Sequence, residues 1–344
     1  ANSYFWRPNQ LTVQRRQLYF HRSLHHCKSA EFMSLSLGYL LPTRERIMVG
    51  VHETSQILDL ASHADNIGLD SVWIGDSLLA KPRHEPLSLI AAIAGRTKNV
   101  KMGTAVLLPM LRNPVLLAHQ VATIDQISEG RFIMGIGIAR DVPAIRNEFE
   151  AAGVPFEKRI GTMIEQMQLC RALWSGEKTD WDGRWTVKDA ELAPLPLTKG
   201  GPPIWSGGGV SAALKRSARY YDGWFPSGPG NGKDWSKSWT ELQGYAQEAG
   251  RNPDDITGAA YVTVAINDNI AKANAELEEY LVNYYLRPAE EIRQQQYSVA
   301  GDRASVTAWI NDFVEGGAQH MCIRFTGSDD EIQMDELARL REHW

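Results

Sequence analysis

Cysteine is scarce: Cys27, Cys170 and Cys322 are the only three in 344 residues, far apart and odd in number. A disulfide framework is therefore not expected, and a reducing, cytoplasmic setting is. Long apolar runs are missing too. None approaches the roughly 18–20 residues that a membrane-spanning helix requires. Nor is there an excess of positive charge, since 36 Lys and Arg stand against 41 Asp and Glu for a net charge of -5. The basic residues are scattered rather than striped, which argues against nucleic acid or an anionic membrane as the main partner. Hydrolase signatures are also lacking. No HExxH or comparable zinc spacing occurs, and no Gly-x-Ser-x-Gly elbow, so no metal is assigned and serine-hydrolase chemistry is disfavoured.

What remains is ordinary globular composition, 43% hydrophobic and 22% charged. The first 32 residues stand apart. "RRQLYFHRSLHHCK" (15–28) is basic, and Glu31 is the only acid in the segment. Without a continuous apolar stretch it is no secretory signal; an Arg-rich transit peptide is the alternative to a leader outside the fold, with Met33 as the natural start. His25, His26 and Cys27 lack further ligands nearby to complete a metal site. Residues 33–344 are expected to form one domain.

Within that domain, apolar strands alternate with amphipathic helices. The strand-like runs are 35–41, 71–76, 100–109, 131–139, 203–208, 222–228, 259–266 and 320–326. Helical spacing occupies 55–69, a stretch opened by Pro86, 114–128, 159–174, 211–221, 236–249, 270–285, 303–316 and the C-terminus. The strands are apolar throughout rather than alternating, so both of their faces must be covered, as in a parallel sheet wrapped by helices. Eight such units predict an α/β fold, a TIM (β/α)8 barrel with insertions chiefly after the fourth strand. An open doubly wound sheet is the alternative. The polar, Gly/Pro-rich stretch 176–203 is predicted as an insertion with a small hairpin; with Trp174, Trp181 and Trp185, the segment 140–203 and the C-terminal loops would form a lid.

A barrel places its chemistry on the loops after the strands. "PIWSGGGVSAALKRSA" (203–218) then attracts notice, because it feeds three glycines into a helix start late in the barrel. Bare amides and a helix N-terminus suit a phosphate, with Ser211 adding a hydroxyl; a ligand-free turn is the plain alternative. Gly135 and Gly137 lack the third glycine of a dinucleotide fingerprint and sit on the strand itself. They allow either a flat ring against the strand end or tight packing. Asp76 could orient a ligand or cap the next element.

The runs "SVWIGDSLL", "VKMGTAVLLPMLRNPVLLAHQVATIDQISEGRFIMGIGIARD" and "PIWSGGGVSAALKRSARYYDGWFPSG" resemble the bacterial luciferase-like superfamily of flavin-dependent monooxygenases and deazaflavin (coenzyme F-420)-dependent oxidoreductases. The resemblance runs from about Met33 to the C-terminus. It implies a TIM barrel, usually a homodimer, with the cofactor at the strand ends. Ala105–Val106 matches the place of a non-prolyl cis peptide behind the ring. Gly207, Gly208, Gly209, Val210 and Ser211 match the cofactor-phosphate loop. Asp76 matches a polar residue at the ring's edge, and Gly137, Ile138 and Ala139 match a segment lining it. Two departures stand out: Ser77 replaces the histidine of the sugar-phosphate dehydrogenases, and Arg140–Asp141 stand where those have a glutamate. Sugar-phosphate oxidation is thus not expected, and no catalytic proton-transfer residue is identified. Luminescence is not expected either, because the reactive cysteine and paired histidines that the resemblance implies for it do not stand at clear positions.

The first functional expectation is a monooxygenase using reduced FMN, supplied by a separate flavin reductase, and O2 on a small organic substrate. The alternative is hydride transfer with coenzyme F-420. Behind both stand a non-catalytic flavin-binding protein and a phosphate-handling barrel lyase.

Overall fold

The computed structural model describes residues 35–327 and 329–344. The leader, with its histidine pair and Cys27, lies outside the described residues. The strands in chain order are β1 (Ser36–Leu40), β2 (Ser71–Ile74), β3 (Lys101–Thr104), β4 (Phe132–Ile136), β5 (Thr179–Asp182), β6 (Thr186–Ala190), β7 (Ile204–Ser206), β8 (Gly223–Trp224), β9 (Thr257–Ile266), β10 (Ser298–Gly301) and β11 (His320–Phe325). Eight of them pair in parallel in the order β9-β11-β1-β2-β3-β4-β7-β8, and β8 returns to β9. The ring is closed, as the eight-unit alternation predicts. Closure leaves no open edge in the ring, so the open-sheet alternative is excluded.

Aromatic side chains fill the interior of the ring. Trp73 is fully buried and lies 4.7 Å from Phe225 and 5.5 Å from Trp205 between ring centroids. The strands make room for these indoles by omitting side chains: a Cβ on Gly103 would meet Trp73 at 2.3 Å, and one on Gly223 would meet Trp205 at 2.4 Å. His320, at the start of β11, shares a 2.8 Å hydrogen bond with Ser71 Oγ, which also accepts from Trp73 Nε1 at 2.7 Å.

Local signals place the helices. The helix Pro114–Ile127 has Pro at its first turn, where the missing N–H costs nothing, and Asn113 Oδ1 accepts from Val115 N at 2.9 Å. The helix Arg159–Trp174 has the bounds its periodicity predicts.

Two expectations need correction. The insertion does contain a hairpin, β5 against β6, but segment 176–203 is not a lid. The preceding helix runs back down the barrel, so its end delivers the chain to the amino-terminal side of the strands. There Thr198 N donates to Asp125 Oδ2 at 2.7 Å, and Gln126 Nε2 donates to Leu195 O at 2.8 Å. Trp174 is buried, its Nε1 donating to Ala118 O. The hairpin tip leans on the outer side of the same helix, where Arg184 pairs with Glu165. Of the expected lid, the part near 140–158 and the loop after β11 stand at the carboxyl ends; Arg140 Nη1 donates there to Gln295 Oε1 at 2.7 Å. The helix Ile270–Tyr285 stands there too, with Tyr284 OH accepting from Arg324. The second correction is β10, which pairs with β9 outside the ring and was not expected from the sequence.

Candidate active site at the carboxyl ends of the strands

The turn after β3 carries a cis peptide between Ala105 and Val106, at the position the resemblance names. Its neighbours hold it on both sides. Ala105 N donates to Ile74 O at 2.7 Å, and Leu107 N donates to Gly135 O at 2.8 Å. Gly137 N closes the link by donating to Leu107 O at 3.0 Å. A Cβ on Gly135 would sit 2.0 Å from Thr104 O, and one on Gly137 would sit 2.6 Å from Val106 Cγ2. Close strand packing therefore accounts for both glycines. Ile138 and Ala139 continue along the rim, half-buried; Ile138 O accepts from Arg159 Nε at 3.0 Å, and Ala139 has φ 62°. That left-handed conformation costs a residue with a Cβ about 1 kcal/mol and turns the chain sharply away from the rim.

Asp76 is committed differently from the expectation of a ring-edge contact. Its side chain is 1% exposed and accepts from Arg112 Nη1 at 2.6 Å, Arg112 Nη2 at 3.1 Å and Leu108 N at 2.9 Å. The carboxylate thus fixes the turn that contains Ala105–Val106 from beneath.

Further along the same rim, β7 is followed by Gly207–Gly209. Gly208 has φ +102° and Val210 is 71% exposed. The helix Ser211–Tyr220 has no side-chain cap at Val210, so its first amides are free to meet an anion. A Cβ on Gly209 would find nothing within 4 Å, whereas one on Gly208 would press Ala213 Cβ at 2.9 Å. Ser211 Oγ lies 2.9 Å from Tyr245 OH, so its hydroxyl already has one partner. The ring order β3-β4-β7 sets the Ala105–Val106 turn, the 137–139 segment and the glycine loop side by side.

On the opposite arc sit residues to which the sequence assigned no role, although Arg44 and Arg324 fall at strand ends, where a barrel places its chemistry. Arg44 follows β1, Lys81 and Arg83 follow β2, and Arg324 lies on β11. Arg44 and Arg324 are 6% and 5% exposed. Tyr284 lies between them: its ring is 4.3 Å from Arg44 Cζ and 4.2 Å from Arg324 Cζ. Arg324 donates to Tyr284 OH and Tyr285 OH, each at 3.0 Å. Burial alone would raise the Tyr284 phenol, but the guanidinium groups of Arg324 and Arg83 outweigh it and hold the phenol below its ordinary value. Burial pushes the Lys81 ammonium down to about 7, aided by repulsion from Arg44, Arg83, Arg324 and Arg140. The folded chain thus sheds this proton more readily than the unfolded chain, whose value is 10.5. The penalty on stability is fully present below about pH 7 and is relieved as pH rises toward 10.5. We expect the Lys81 amine to titrate near neutrality when followed by NMR after isotopic labelling; a midpoint above 9 would remove the cluster's influence.

Glu148 was also missed. It is fully buried and accepts from Ser77 Oγ at 2.7 Å, Leu79 N at 2.7 Å and Ala80 N at 2.9 Å, while its other oxygen has no hydrogen-bond partner. Ser77, which replaces the expected histidine, is thereby tied to the loop. Among the described residues no cluster of three or more His, Cys, Asp or Glu could hold a metal, and no helix is long and apolar enough to cross a membrane.

The luciferase-like monooxygenase family model matches residues 35–342. The F420-dependent glucose-6-phosphate dehydrogenase of Nocardia farcinica is 26% identical over 318 residues, covering 83% of this chain and 94% of that protein. Its counterpart in Mycobacterium tuberculosis is likewise 26% identical, over 317 residues with the same coverage. Among solved structures, an F420-dependent secondary alcohol dehydrogenase in complex with an F420-acetone adduct superposes with a TM-score of 0.75 at 21% identity, covering 90% of this chain and 98% of that one. With the ring closed, the cis turn at the third strand and the family pattern running through nearly all described residues, the chain belongs to the luciferase-like monooxygenase family and is an oxidoreductase of that type.

Proposed function

We propose that this protein is a deazaflavin-dependent oxidoreductase that transfers a hydride between coenzyme F-420 and a small organic substrate. One observation carries the reading: the ring places the Ala105–Val106 turn and the uncapped Gly207–Gly209 loop on neighbouring stretches of one rim, a flat backing beside an anion cradle. The choice of deazaflavin over FMN rests on the curated relatives, which are named for F420-dependent dehydrogenation. This reverses the order expected from the sequence. A monooxygenase fed by a separate flavin reductase becomes the second reading; no observation at the rim favours it.

The residues fit such a cofactor. Gly209 has open space where a side chain would be, and the amides of Gly208–Ser211 would hold its phosphate, while Gly207 N donates to Ile136 O at 3.3 Å and anchors the loop to β4. Ala105 and Val106 would back the ring, Gly137, Ile138 and Ala139 would flank it, and Asp76 would keep the turn in place through Leu108 and Arg112. When bound, the deazaflavin supplies a carbon centre that gives or takes a hydride. The chain's own contribution is to orient the substrate over that centre and to keep water away, with Tyr284 and Tyr285 standing over the far arc. Glucose 6-phosphate, the substrate in the relatives' name, does not carry over, because Ser77 and Arg140–Asp141 replace the residues expected for it.

Fluorescence quenching on titration with coenzyme F-420 and with FMN ranks the two cofactors. We expect F-420 to bind tighter; FMN binding tighter would favour the monooxygenase. Failure of both to bind below about millimolar, or about -4 kcal/mol, would end both readings. The rim variant of choice is Gly209→Val, because Gly208→Val would strain the left-handed backbone and crowd Ala213 whatever the ligand. Gly209→Val should weaken F-420 at least about tenfold, about 1.4 kcal/mol, with its unfolding midpoint unchanged. Equal affinity would remove the phosphate assignment.

A further inference from the structure

We infer that Arg44, Lys81, Arg83 and Arg324 form a subsite for an anionic group, a carboxylate or a phosphate, carried by the substrate. The inference rests on the cofactor placement above and adds the chemical class of what faces it.

Three observations support it. First, charge is unbalanced. Arg140 joins Arg44, Arg83 and Arg324 in repelling Lys81, while the Glu45 carboxylate lies 3.9 Å from Arg324 Nε, too far for a hydrogen bond. Second, the donors are unfinished. Arg44 Nε and Nη1 and Arg324 Nε are buried without any hydrogen-bond partner. Arg44 stacks on Tyr284, and Lys81 Nζ lies 4.8 Å from the Tyr285 ring. Such contacts engage the face of a guanidinium and leave its in-plane N–H groups free. Buried cations are retained where a partner neutralises them, and here the protein provides too few. A carboxylate or phosphate matches the planar fork of arginine and would complete the set.

Third, position separates this arc from the glycine loop. Around the ring β9-β11-β1-β2-β3-β4-β7-β8, β1 stands four strands from β7 in either direction. A cofactor whose phosphate occupies the β7 loop and whose ring backs on β3 and β4 leaves the β11-β1-β2 arc to the second reactant. An anionic group anchored there would turn the rest of the substrate toward the middle of the rim.

The test uses inorganic phosphate as the probe, in the Gly209→Val protein so that the glycine loop does not contribute. Calorimetric titration should show phosphate binding that weakens at least about tenfold in Arg44→Gln and further in Arg44→Gln/Lys81→Gln, the loss expected for charge-assisted hydrogen bonds. Arg44→Lys should restore part of it. Coenzyme F-420 affinity, measured in the Gly209-containing protein, should stay unchanged in Arg44→Gln. Phosphate affinity indifferent to both arginine and lysine substitutions overturns the subsite. An F-420 affinity that falls in Arg44→Gln as far as in Gly209→Val also overturns it, assigning the arc to the cofactor's own acidic tail. If Arg44→Gln does not fold, Lys81→Gln alone, on a half-exposed residue, reads the same outcomes. Absence of F-420 binding in the unmodified protein would sink the proposed function while the phosphate titration still reports on the arc.

Discussion

Trp73→Ala is expected to destabilise the protein by about 4 kcal/mol, the upper range for removing a fully buried indole. Trp73 is 0% exposed inside the ring, packed at tilted and edge-on angles against Trp205, Phe225 and His320, and it donates to Ser71 Oγ. Truncation removes the packing and leaves Gly38 and Gly103, whose absent side chains made the space, beside a void that backbone cannot fill. In a domain of this size the unfolding midpoint should drop by about 6 °C, read by circular dichroism. Trp73→Phe, which keeps most of the volume, should lose less than half as much. A midpoint within about 2 °C of the parent for the alanine variant would mean that the aromatic plug does not hold the ring together.

The second large effect is acid sensitivity through His320. Burial, with a lesser contribution from the charge of Lys101, pushes its imidazole down to about 3. In the unfolded chain it titrates near the ordinary 6.5. Below that pH the unfolded state takes up a proton that the folded state refuses, so stability is lost as pH falls from about 6.5 toward 3. At pH 5 the loss from this one group is about 2 kcal/mol. Urea unfolding at about pH 7.5 and pH 5 should show that difference in the parent and a correspondingly smaller one in His320→Gln. Each protein supplies its own reference, so a destabilised variant is still readable. Equal pH dependence in the two proteins would place the proton elsewhere.

Much of the ring was legible because the barrel strands are covered on both sides and so are written as largely apolar runs; "FIMGI" is an example. β10 was not, because "SVAG" is short, half-polar and paired on one side only. The lid was misplaced because Trp-rich composition says that a segment packs somewhere, and only the direction of the helix before it says where. The glycine loop stood out since its residues are adjacent in sequence. The Arg–Tyr arc did not, for Arg44 and Tyr284 or Lys81 and Arg324 meet only after closure, and no local spacing joins them. Asp76 shows the limit of inspecting single residues: its place at a strand end was legible, its bond to Arg112 was not.

The aromatic filling of the ring has a consequence for how such a molecule can change. Wall and workshop are built from different residues: the indoles at Trp73 and Trp205 secure the frame, while the residues that would meet small molecules hang from the strand tips above them. Substitutions at the tips can therefore accumulate without loosening the frame. One scaffold can thus be refitted for new reactants, by natural variation or by the protein engineer.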